Sequence, residues 1–511
     1  MPSDVAQAIA RAGSWTVGEL LTAQARRRPH HPAIVDGART VDYSSLNSRV
    51  NRLAAALAAA GVRRGARVAT LAENRLEYIE AAFAAAKLGA ILCALNWRLA
   101  RNELAHCISL VEPTIALVSD RFEAALKDAG WDGPVIAFGA PYENLLACSS
   151  DVEPALVAEP EDGLLILYTS GTTGLPKGAL ISHRAELARM NLSRIDLGLA
   201  EDDCFVAWPP MFHMASLEHA IHVLGLGGKV VVVDGADIAR LVDLVVAERQ
   251  WWLVLLPGMI DRMIDEVKSR GVRPKGLKVI GALADLVPLQ LIAEASRLLE
   301  APYWNTFGST ETGMLPAAGT IFPAGQEPPS LAKSHNSLYL WRLVDESDND
   351  VAPGEPGEIA VRGPTIFSGY WNVDAVNAKE FRNGWFHRGD MFVEQPDGTL
   401  NFVDRSKYLI KSGGENIYPL EIERVLMADP SVAEAVVVRR RDPVWGEVPV
   451  AFVVLNQAGV TPDDLMKICR DGLSSYKCPR EIRLVGSQDD FPRSTSGKVQ
   501  RQRVEQWLDR R

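Results

Sequence analysis

The run from Tyr168 to Gly178, Tyr-Thr-Ser-Gly-Thr-Thr-Gly-Leu-Pro-Lys-Gly, combines hydroxyl side chains, glycines and a lysine in one short segment. It follows an apolar stretch, residues 163–167, that is typical of a buried strand. Glycines let backbone N–H groups approach oxygen atoms closely, hydroxyl groups donate further hydrogen bonds, and Lys177 adds positive charge. The run therefore predicts a polyphosphate-binding loop. It differs from the nucleoside-triphosphatase P-loop, in which Ser or Thr follows Gly-Lys.

A second run, Asn305-Thr-Phe-Gly-Ser-Thr-Glu311, ends with a hydroxyl group beside a carboxylate. Mg²⁺ prefers one or two carboxylates together with phosphate oxygens and water, so Thr310 and Glu311 suit this ion. A helix N-cap is the commoner explanation of a Thr-Glu pair. The pair by itself does not decide between the two explanations.

Three further runs come later in the chain: Trp385-Phe-His-Arg-Gly-Asp390, the long run from Asp404 to Glu423, and Pro492-Arg-Ser-Thr-Ser-Gly-Lys498. In order and spacing, the five runs resemble the motifs of the adenylate-forming superfamily, which comprises acyl-CoA synthetases, adenylation domains of nonribosomal peptide synthetases, and luciferases. The resemblance extends from about residue 16 to the end of the chain. It implies a fatty-acid or aryl acyl-CoA synthetase that uses ATP, Mg²⁺ and CoA.

The resemblance implies a role for each matching residue at the nucleotide. Lys498, Glu311, Thr310 and Lys177 would be catalytic, and Glu311 with Thr172 would hold Mg²⁺. Asp390 would bind both ribose hydroxyl groups, for which a carboxylate has two oxygens. The full set expected to bind ATP or AMP is Thr169, Ser170, Gly171, Thr172, Thr173, Lys177, Asn305, Thr306, Phe307, Gly308, Thr310, Asp390, Arg405, Lys411 and Lys498.

In the family, the segment after residue 404 is a hinge, and Lys407 occupies the hinge position. The residues implied on the CoA side are Ser412, Gly413, Gly414, Trp445, Lys477 and Arg480. The sequence departs from the family pattern at four positions: Phe307 replaces Tyr, Arg388 replaces Thr, Asp404 replaces Gly, and Tyr408 replaces Asp.

The residues that the resemblance places around the acid are largely apolar and small: His213, Met214, Ala282, Leu283, Ala284 and Met314. They favour a lipophilic acid, whether fatty, aryl or polycyclic such as a terpenoid. An amino acid stays open as the alternative, because Asp285 or Glu218 could pair with an ammonium group.

Helical patterns alternate with short Val/Ile/Leu runs from about residue 16 to 400, for example at 67–71, 114–118, 230–233 and 252–256. Such alternation indicates parallel sheets covered by helices, so the fold class expected is α/β. Residues 337–362 read as a hairpin region or a small β-barrel. Beyond residue 408, a helix at 419–427, strands at 432–438 and 448–455, and a helix at 462–473 predict a smaller α+β domain. The resemblance implies that this domain is mobile.

We therefore predict an N-terminal adenylation domain at 1–403, a hinge at 404–408 and a C-terminal domain at 409–511. The pattern alone leaves open that 404–408 is a surface loop within one domain. A chain of 511 residues is long enough for two or more domains, and a net charge of −10 argues against a nucleic-acid binder.

Six cysteines are scattered without a Cys-x-x-Cys pair, and the N-terminus has no signal pattern, so a cytoplasmic protein without a membrane span is expected. The other functions left open are an adenylation enzyme that loads a carrier-protein thiol, a catalytically silent binding relative and, remotely, a luciferase-like oxygenase. A homodimer also stays open.

Overall fold

The computed structural model describes residues 3–169, 175–314, 316–412, 415–457, 459–493 and 498–509. The chain divides into two compact units, Met1–Leu340 with Arg362–Phe381, and Trp341–Val361 with Arg382–Arg511. The domain boundary expected at 404–408 and the hinge at Lys407 stay predictions.

The first unit is a mixed α/β structure. Its strands are β1 (Pro32–Asp36), β2 (Arg39–Asp42), β3 (Arg67–Leu71), β4 (Ile91–Ala94), β5 (Ile115–Val118), β6 (Val135–Ala137), β7 (Gly163–Thr169), β8 (Lys177–Ser182), β9 (Cys204–Ala207), β10 (Lys229–Val232), β11 (Gln250–Leu253), β12 (Leu277–Ile280), β13 (Tyr303–Trp304) and β14 (Ile321–Phe322).

The helices of the first unit are α1 (Ser3–Ala12), α2 (Val17–Arg27), α3 (Tyr43–Ala59), α4 (Leu76–Lys87), α5 (Arg101–Val111), α6 (Asp120–Asp128), α7 (Ala140–Ala147), α8 (His183–Leu197), α9 (Met214–Leu226), α10 (Ile238–Ala247), α11 (Ile260–Arg270), α12 (Leu289–Leu298) and α13 (Asp374–Glu380). None of the described helices is both long enough and apolar enough to span a lipid bilayer.

Two sheets organise this unit, as the alternating pattern predicted. One has the order β6-β5-β3-β4-β7-β8 and the other β14-β13-β12-β11-β9-β10-β1-β2. Inner neighbours such as β3 and β4 are parallel, whereas β8 pairs antiparallel with β7. Short strands rich in Val, Ile and Leu are buried on both faces, which is why they read as continuous apolar runs.

Helix α4 is buried on every side, because apolar residues surround its axis. Lys87 ends it and is 3% exposed. Its Nζ lies 2.6 Å from Glu153 Oε1 and 2.7 Å from the side-chain oxygens of Asn47 and Asn51. Lys87 is therefore a buried cation whose hydrogen bonds are satisfied.

The described residues of the second unit form two sheets. Its strands are β15 (Leu340–Val344), β16 (Gly357–Arg362), β17 (Phe381–Arg382), β18 (Trp385–Glu394), β19 (Leu400–Arg405), β20 (Ile410–Ser412), β21 (Glu415–Ile417), β22 (Val432–Asp442), β23 (Gly446–Leu455) and β24 (Glu481–Val485), and its helices are α14 (Pro419–Met427), α15 (Pro462–Gly472) and α16 (Arg501–Glu505). The region predicted as a hairpin or small barrel corresponds to the first sheet, β15-β16-β18-β17 with β19 paired to β18.

The second sheet, β21-β20-β23-β22 with β24 beside β23, forms the core of the C-terminal part. Helices α14 and α15 pack with it around buried residues that include Ile422, Leu426, Leu465 and Cys469. The helix predicted at 419–427 has those bounds in the structure, and the strands predicted at 432–438 and 448–455 lie within β22 and β23.

Candidate active site

The predicted phosphate loop joins two antiparallel strands. Thr169 ends β7 and lies opposite Lys177, the first residue of β8. The strand pairing therefore fixes both ends of the loop. Ser170, Gly171, Thr172 and Thr173 lie outside the described residues, so their predicted contacts with phosphate and Mg²⁺ stay predictions.

Lys177 belongs to a chain of polar contacts in the first unit. Its Nζ lies 3.9 Å from the centroid of the Tyr370 ring and 3.4 Å from Glu380 Oε1. The Tyr370 hydroxyl donates to Glu311 Oε1 at 2.8 Å. Burial, together with the carboxylates of Glu311 and Glu380, raises the pKa of Tyr370 well above its ordinary value, so the phenol keeps its proton.

Tyr370 was missed by the sequence reasoning, although it connects two residues that the motifs singled out. A signal was present, since Gly369-Tyr370-Trp371 follows strand β16 as a glycine–aromatic group. The backbone explains its placement: Trp371 N–H donates to the carbonyl of Gly178 at 2.8 Å, directly beside Lys177.

The run that begins at Asn305 follows β13 and starts in the interior. Asn305 is fully buried; its Oδ1 accepts from Lys333 Nζ at 2.6 Å and its Nδ2 donates to the carbonyl of Leu331 at 3.1 Å. Lys333 is also fully buried and pairs with Asp285 Oδ2 at 2.7 Å. Lys333 is a second residue that the sequence did not reveal.

The rest of this run is a tight turn. Ser309 N–H donates to the carbonyl of Gly313 at 2.9 Å. A Cβ atom on Gly308 would lie 2.2 Å from that same carbonyl oxygen, so only glycine fits there. Nearby, Thr306 Oγ1 accepts from Leu283 N–H at 2.8 Å. The turn therefore sets the positions of Thr310 and Glu311.

The predicted acyl residues fall into two groups. Met214 and Met314 line a small cavity, together with Arg189, Leu192, Glu218, His219, His222, Thr312, Gly313 and Thr365. His213, Ala282, Leu283 and Ala284 are not among its lining residues. His213 instead caps α9, since its Nδ1 accepts from Ala215 N–H at 3.2 Å.

Both carboxylates considered as partners for an ammonium group have buried cations beside them. Glu218 Oε1 lies 2.7 Å from Arg189 Nη1, and Asp285 lies beside Lys333 as described above. Burial raises the pKa of Glu218 to about 7, although Arg189 opposes the shift. Each carboxylate considered for an ammonium group thus already has a cation partner, and the amino-acid alternative stays a prediction.

In the second unit, Asp390 lies on β18 and is 1% exposed. Arg388 Nε is 3.0 Å from its Oδ2 and Arg405 Nε is 3.0 Å from its Oδ1. Arg388, which stands where the family pattern has Thr, therefore pairs its guanidinium with Asp390, the carboxylate predicted to bind ribose. Strand pairing sets Asp390 opposite Arg405.

The predicted hinge contains a short 3₁₀ turn, Ser406–Tyr408, in which Lys407 Nζ lies 4.8 Å from the Tyr408 ring. The departure at Asp404 also has a structural role. Its Oδ2 accepts from Leu420 N–H at 2.9 Å, so it caps the first turn of α14 from outside the helix.

Strand β20 and the chain after it carry the residues predicted on the CoA side, and also Lys411 and Lys498 of the predicted nucleotide set. Lys411 Nζ lies 2.9 Å from Glu346 Oε1, and Lys477 Nζ lies 2.7 Å from Glu421 Oε1. Trp445 is 46% exposed, with the Arg480 guanidinium 5.6 Å from its ring centroid. Ser412 pairs with Glu415 across a hairpin, Gly413 and Gly414 lie outside the described residues, and Lys498 is exposed.

The structure thus brings together two sets of predicted residues, each within its own unit. Lys177 and Glu311 meet through Tyr370 in the first unit, and Arg405 meets Asp390 in the second. That both sets bind one nucleotide stays a prediction. Among the described residues there is no group of three or more His, Cys, Asp or Glu side chains arranged to hold a metal.

A family model described as "AMP-binding enzyme" matches residues 21–371, and one described as "AMP-binding enzyme C-terminal domain" matches residues 421–498. Indoleacetate–CoA ligase of Aromatoleum aromaticum is 37% identical over 97% of this chain and 98% of its own. Feruloyl-CoA synthase of an Amycolatopsis species is 34% identical over 95% and 97%.

Among solved structures, the o-succinylbenzoate CoA synthetase of Bacillus subtilis superposes in two forms. Its complex with the acyl-adenylate intermediate gives a TM-score of 0.84 at 27% identity, covering 95% of this chain and 97% of that one. Its complex with ATP and a magnesium ion gives 0.82 at 27% identity, covering 95% and 99%.

Proposed function

The chain belongs to the AMP-binding enzyme family and is an ATP-dependent acyl-CoA synthetase, an acid–thiol ligase, and from that premise we propose that its acid is a lipophilic aryl carboxylic acid. The observation that carries this proposal is the pairing of Glu218 with Arg189 and of Asp285 with Lys333. With these charges paired, Met214 and Met314 are the apolar side chains that line the small cavity together with Leu192. The names of the relatives, which refer to indoleacetate and feruloyl acids, support the same class.

In the first half-reaction, a carboxylate oxygen of the acid attacks the α-phosphorus of ATP. The new bond gives acyl-AMP, and the bond to the leaving pyrophosphate breaks. We assign Lys177 and Lys498 to neutralise the negative charge, Asp390 and Arg405 to the ribose, and Asn305, Thr306 and Phe307 to the adenine. The protein contributes mainly positioning and fixed charge, as phosphoryl-type chemistry requires.

The residues present suit Mg²⁺, which supplies charge neutralisation at the phosphates when bound. Tyr370 donates to one carboxylate oxygen of Glu311. That oxygen keeps a second lone pair, and the other oxygen of Glu311 is also an acceptor. One carboxylate is enough where phosphate oxygens and water complete the shell. We assign Glu311 to this ion, with Thr172 as its neighbour.

In the second half-reaction, the thiolate of CoA attacks the acyl carbon, a thioester forms and AMP leaves. We propose that the C-terminal part turns about Lys407 between the two steps, which withdraws Lys498 and presents Ser412, Gly413 and Gly414 to pantetheine. Trp445, Lys477 and Arg480 would meet the rest of CoA. A carrier-protein thiol is the alternative acceptor.

The test is pyrophosphate release by the full-length enzyme with ATP, Mg²⁺ and a panel of fatty, aryl, polycyclic and amino acids. We expect aryl acids to react fastest by kcat/KM. A preference for amino acids or long fatty acids would contradict the proposed class, and no ATP–pyrophosphate exchange with any acid would indicate a silent relative. Product formation with CoA, compared with a phosphopantetheinylated carrier protein, decides the acceptor, and light scattering decides whether the enzyme is a homodimer.

A further inference from the structure

Helices α8 and α9 place several buried polar side chains around the small cavity that Met214 and Met314 also line. Arg189 on α8 and Glu218, His219 and His222 on α9 all line this cavity and are at most 2% exposed. Buried polar groups normally find hydrogen-bond partners, so any that lack one call for an explanation. Two such atoms, His219 Nε2 and Thr365 Oγ1, belong to residues that line this cavity.

His219 is the clearest exception. Its Nδ1 lies 3.3 Å from the carbonyl oxygen of Met214, and a carbonyl oxygen only accepts, so Nδ1 carries the hydrogen. Burial lowers the pKa of His219 well below its ordinary value, so the ring is neutral. Nε2 is then a bare acceptor, and it has no hydrogen-bond partner within the part of the chain that the structure describes.

Aromatic rings fix the orientation of this imidazole. The ring centroid of His219 lies 4.9 Å from that of Trp252, 5.8 Å from Trp251 and 5.9 Å from Phe205. These side chains leave the ring little freedom to turn Nε2 towards another partner. The unused acceptor is therefore a stable feature of the cavity wall.

The cation of the cavity wall, Arg189, is already engaged. Arg189 pairs with Glu218, and it donates to the backbone carbonyls of Thr365 at 3.0 Å and Thr310 at 3.1 Å. A second carboxylate on the substrate would have to displace these contacts. Thr365 Oγ1, also buried, adds a hydroxyl group that lacks a partner among the described residues. The cavity therefore matches a neutral polar group.

We propose that His219 Nε2 accepts a hydrogen bond from an N–H or O–H group that the acid carries remote from its carboxylate. The preferred substrates are thus aryl acids with a ring N–H or a phenolic O–H group. This inference rests on the proposed function, because it takes the cavity to be the acyl pocket. In its present form the cavity is small, and the unbranched side chains of Met214 and Met314 are the ones able to adapt to a ring.

The experiment compares acids that differ only in the donor. Indole-3-acetate has a ring N–H group, and benzothiophene-3-acetate has sulfur in its place. We expect wild-type kcat/KM for thioester formation to favour the indole acid by about tenfold to a hundredfold, as expected when a buried acceptor is left unpaired. In His219→Phe, which keeps an aromatic ring without the acceptor, the ratio should fall to about one.

Two further variants serve as controls. His219→Gln retains an acceptor and should keep part of the preference for the indole acid. Leu192→Met alters the apolar wall of the same cavity and should leave the ratio at its wild-type value. Because the wild-type comparison needs no variant, it decides the inference even where a substitution at His219 prevents folding.

Equal kcat/KM for the two acids in wild type, or a ratio unchanged in His219→Phe, would overturn the inference while leaving the enzyme an aryl-CoA synthetase. Absence of turnover with every acid would overturn the proposed function instead. Equilibrium dialysis of the two acids against wild type then still decides whether the donor is recognised: tighter binding of the indole acid supports the role of His219, and equal binding refutes it.

Discussion

At the residue scale, Tyr370 links two of the predicted motifs, because it contacts Glu311 of one and Lys177 of the other. A phenol that donates to one carboxylate oxygen fixes the carboxylate and leaves acceptor capacity free for a cation. The same ring also lies against Lys177 Nζ. Tyr370 is therefore a positioning residue for both the assigned magnesium ligand and the assigned phosphate-binding lysine.

Replacing Tyr370 with Phe should keep the ring contact with Lys177 but remove the hydrogen bond to Glu311. A hydrogen bond to a charged group contributes about 1.5–3 kcal/mol, so we expect the Mg²⁺ concentration for half-maximal activity to rise roughly tenfold or more, with a smaller change in kcat at saturation. Pyrophosphate exchange measured over a Mg²⁺ series checks this.

The matched control is Tyr142→Phe, which removes another hydroxyl-to-carboxylate hydrogen bond, Tyr142 Oη to Glu80 Oε2 at 2.6 Å. It should lower the unfolding temperature and leave the Mg²⁺ requirement unchanged. If both variants alter the Mg²⁺ requirement alike, the role assigned to Tyr370 is wrong.

At the element scale, helices α8 and α9 share buried titratable groups that are held neutral. Burial raises the pKa of Glu186 to about 8 and lowers the pKa of His222 to about 3. Glu186 Oε1 lies 3.2 Å from His222 Nε2, and His222 Nδ1 lies 3.1 Å from Ser193 Oγ. Because the pKa values of these buried groups are shifted in the folded protein, its free energy of unfolding depends on pH.

The sign of this contribution follows from the proton on Glu186. In the unfolded chain the carboxyl loses its proton near its ordinary pKa of about 4.3, whereas the folded protein keeps it until about pH 8. Between these values the folded state binds more protons, so its stability falls as the pH rises, by about 1.4 kcal/mol per pH unit. Glu186→Gln should therefore gain stability relative to wild type from pH 5 to pH 8, and no further above that.

Thermal unfolding of both proteins across this pH range measures the difference. Ser193→Ala is the control on the same helix, because it removes an uncharged partner of His222 and should shift the unfolding temperature by a constant amount. A constant difference between Glu186→Gln and wild type at all pH values would show that Glu186 is already ionised in the fold.

At the scale of the whole molecule, the two half-reactions should depend on different residues. Removing a fixed cation from a charge-developing site costs about 3–4 kcal/mol. We therefore expect Lys498→Ala to slow acyl-AMP formation at least a hundredfold, while thioester formation from supplied acyl-AMP survives. Single-turnover measurements of each step check this, and equal losses in both steps would refute the division of labour.

Lys407→Pro should have the opposite effect, since proline fixes φ near −65° and restricts turning at the proposed hinge. Acyl-AMP formation should continue while transfer to CoA slows, with Lys407→Ala as the control that removes the charge but leaves the backbone free. An unimpaired second step in the proline variant would remove the hinge assignment. The hydrogen bond between Asp404 and Leu420 spans this point, so a turn at Lys407 would have to break it.

Much of this organisation was predictable, for physical reasons. Buried strands appear in the sequence as apolar runs, and Pro419 is the first residue of α14, a position at which proline is common. Lys333 and Tyr370 were missed because their partners are distant in sequence. The glycine–aromatic group around Tyr370 was a signal, but nothing in it pointed to Glu311 or Lys177. A motif also singled out His213 for the acyl site; its Nδ1 accepts a hydrogen bond at the start of α9, and its role at the acid stays a prediction.

The assignment of acyl residues also shows what sequence cannot supply. Met214 and Met314 line one cavity, whereas Ala282, Leu283 and Ala284 are not among its lining residues. Leu283 has a φ of 52°, and its N–H donates to Thr306 Oγ1. The sequence also did not show that Glu218 and Asp285 have cation partners. Only the structure places Arg189 beside Glu218 and Lys333 beside Asp285.

The chain passes from one compact unit to the other three times, after Leu340, Val361 and Phe381. A single cut therefore cannot release either half intact, and a gene shortened to end at residue 403 would deprive Asp390 of its strand partner Arg405. Anyone exchanging the C-terminal half between related ligases should transplant residues 341–361 along with 382–511. A chimera joined only after Phe381 would pair β18 of one parent, which holds Asp390, with β16 of the other.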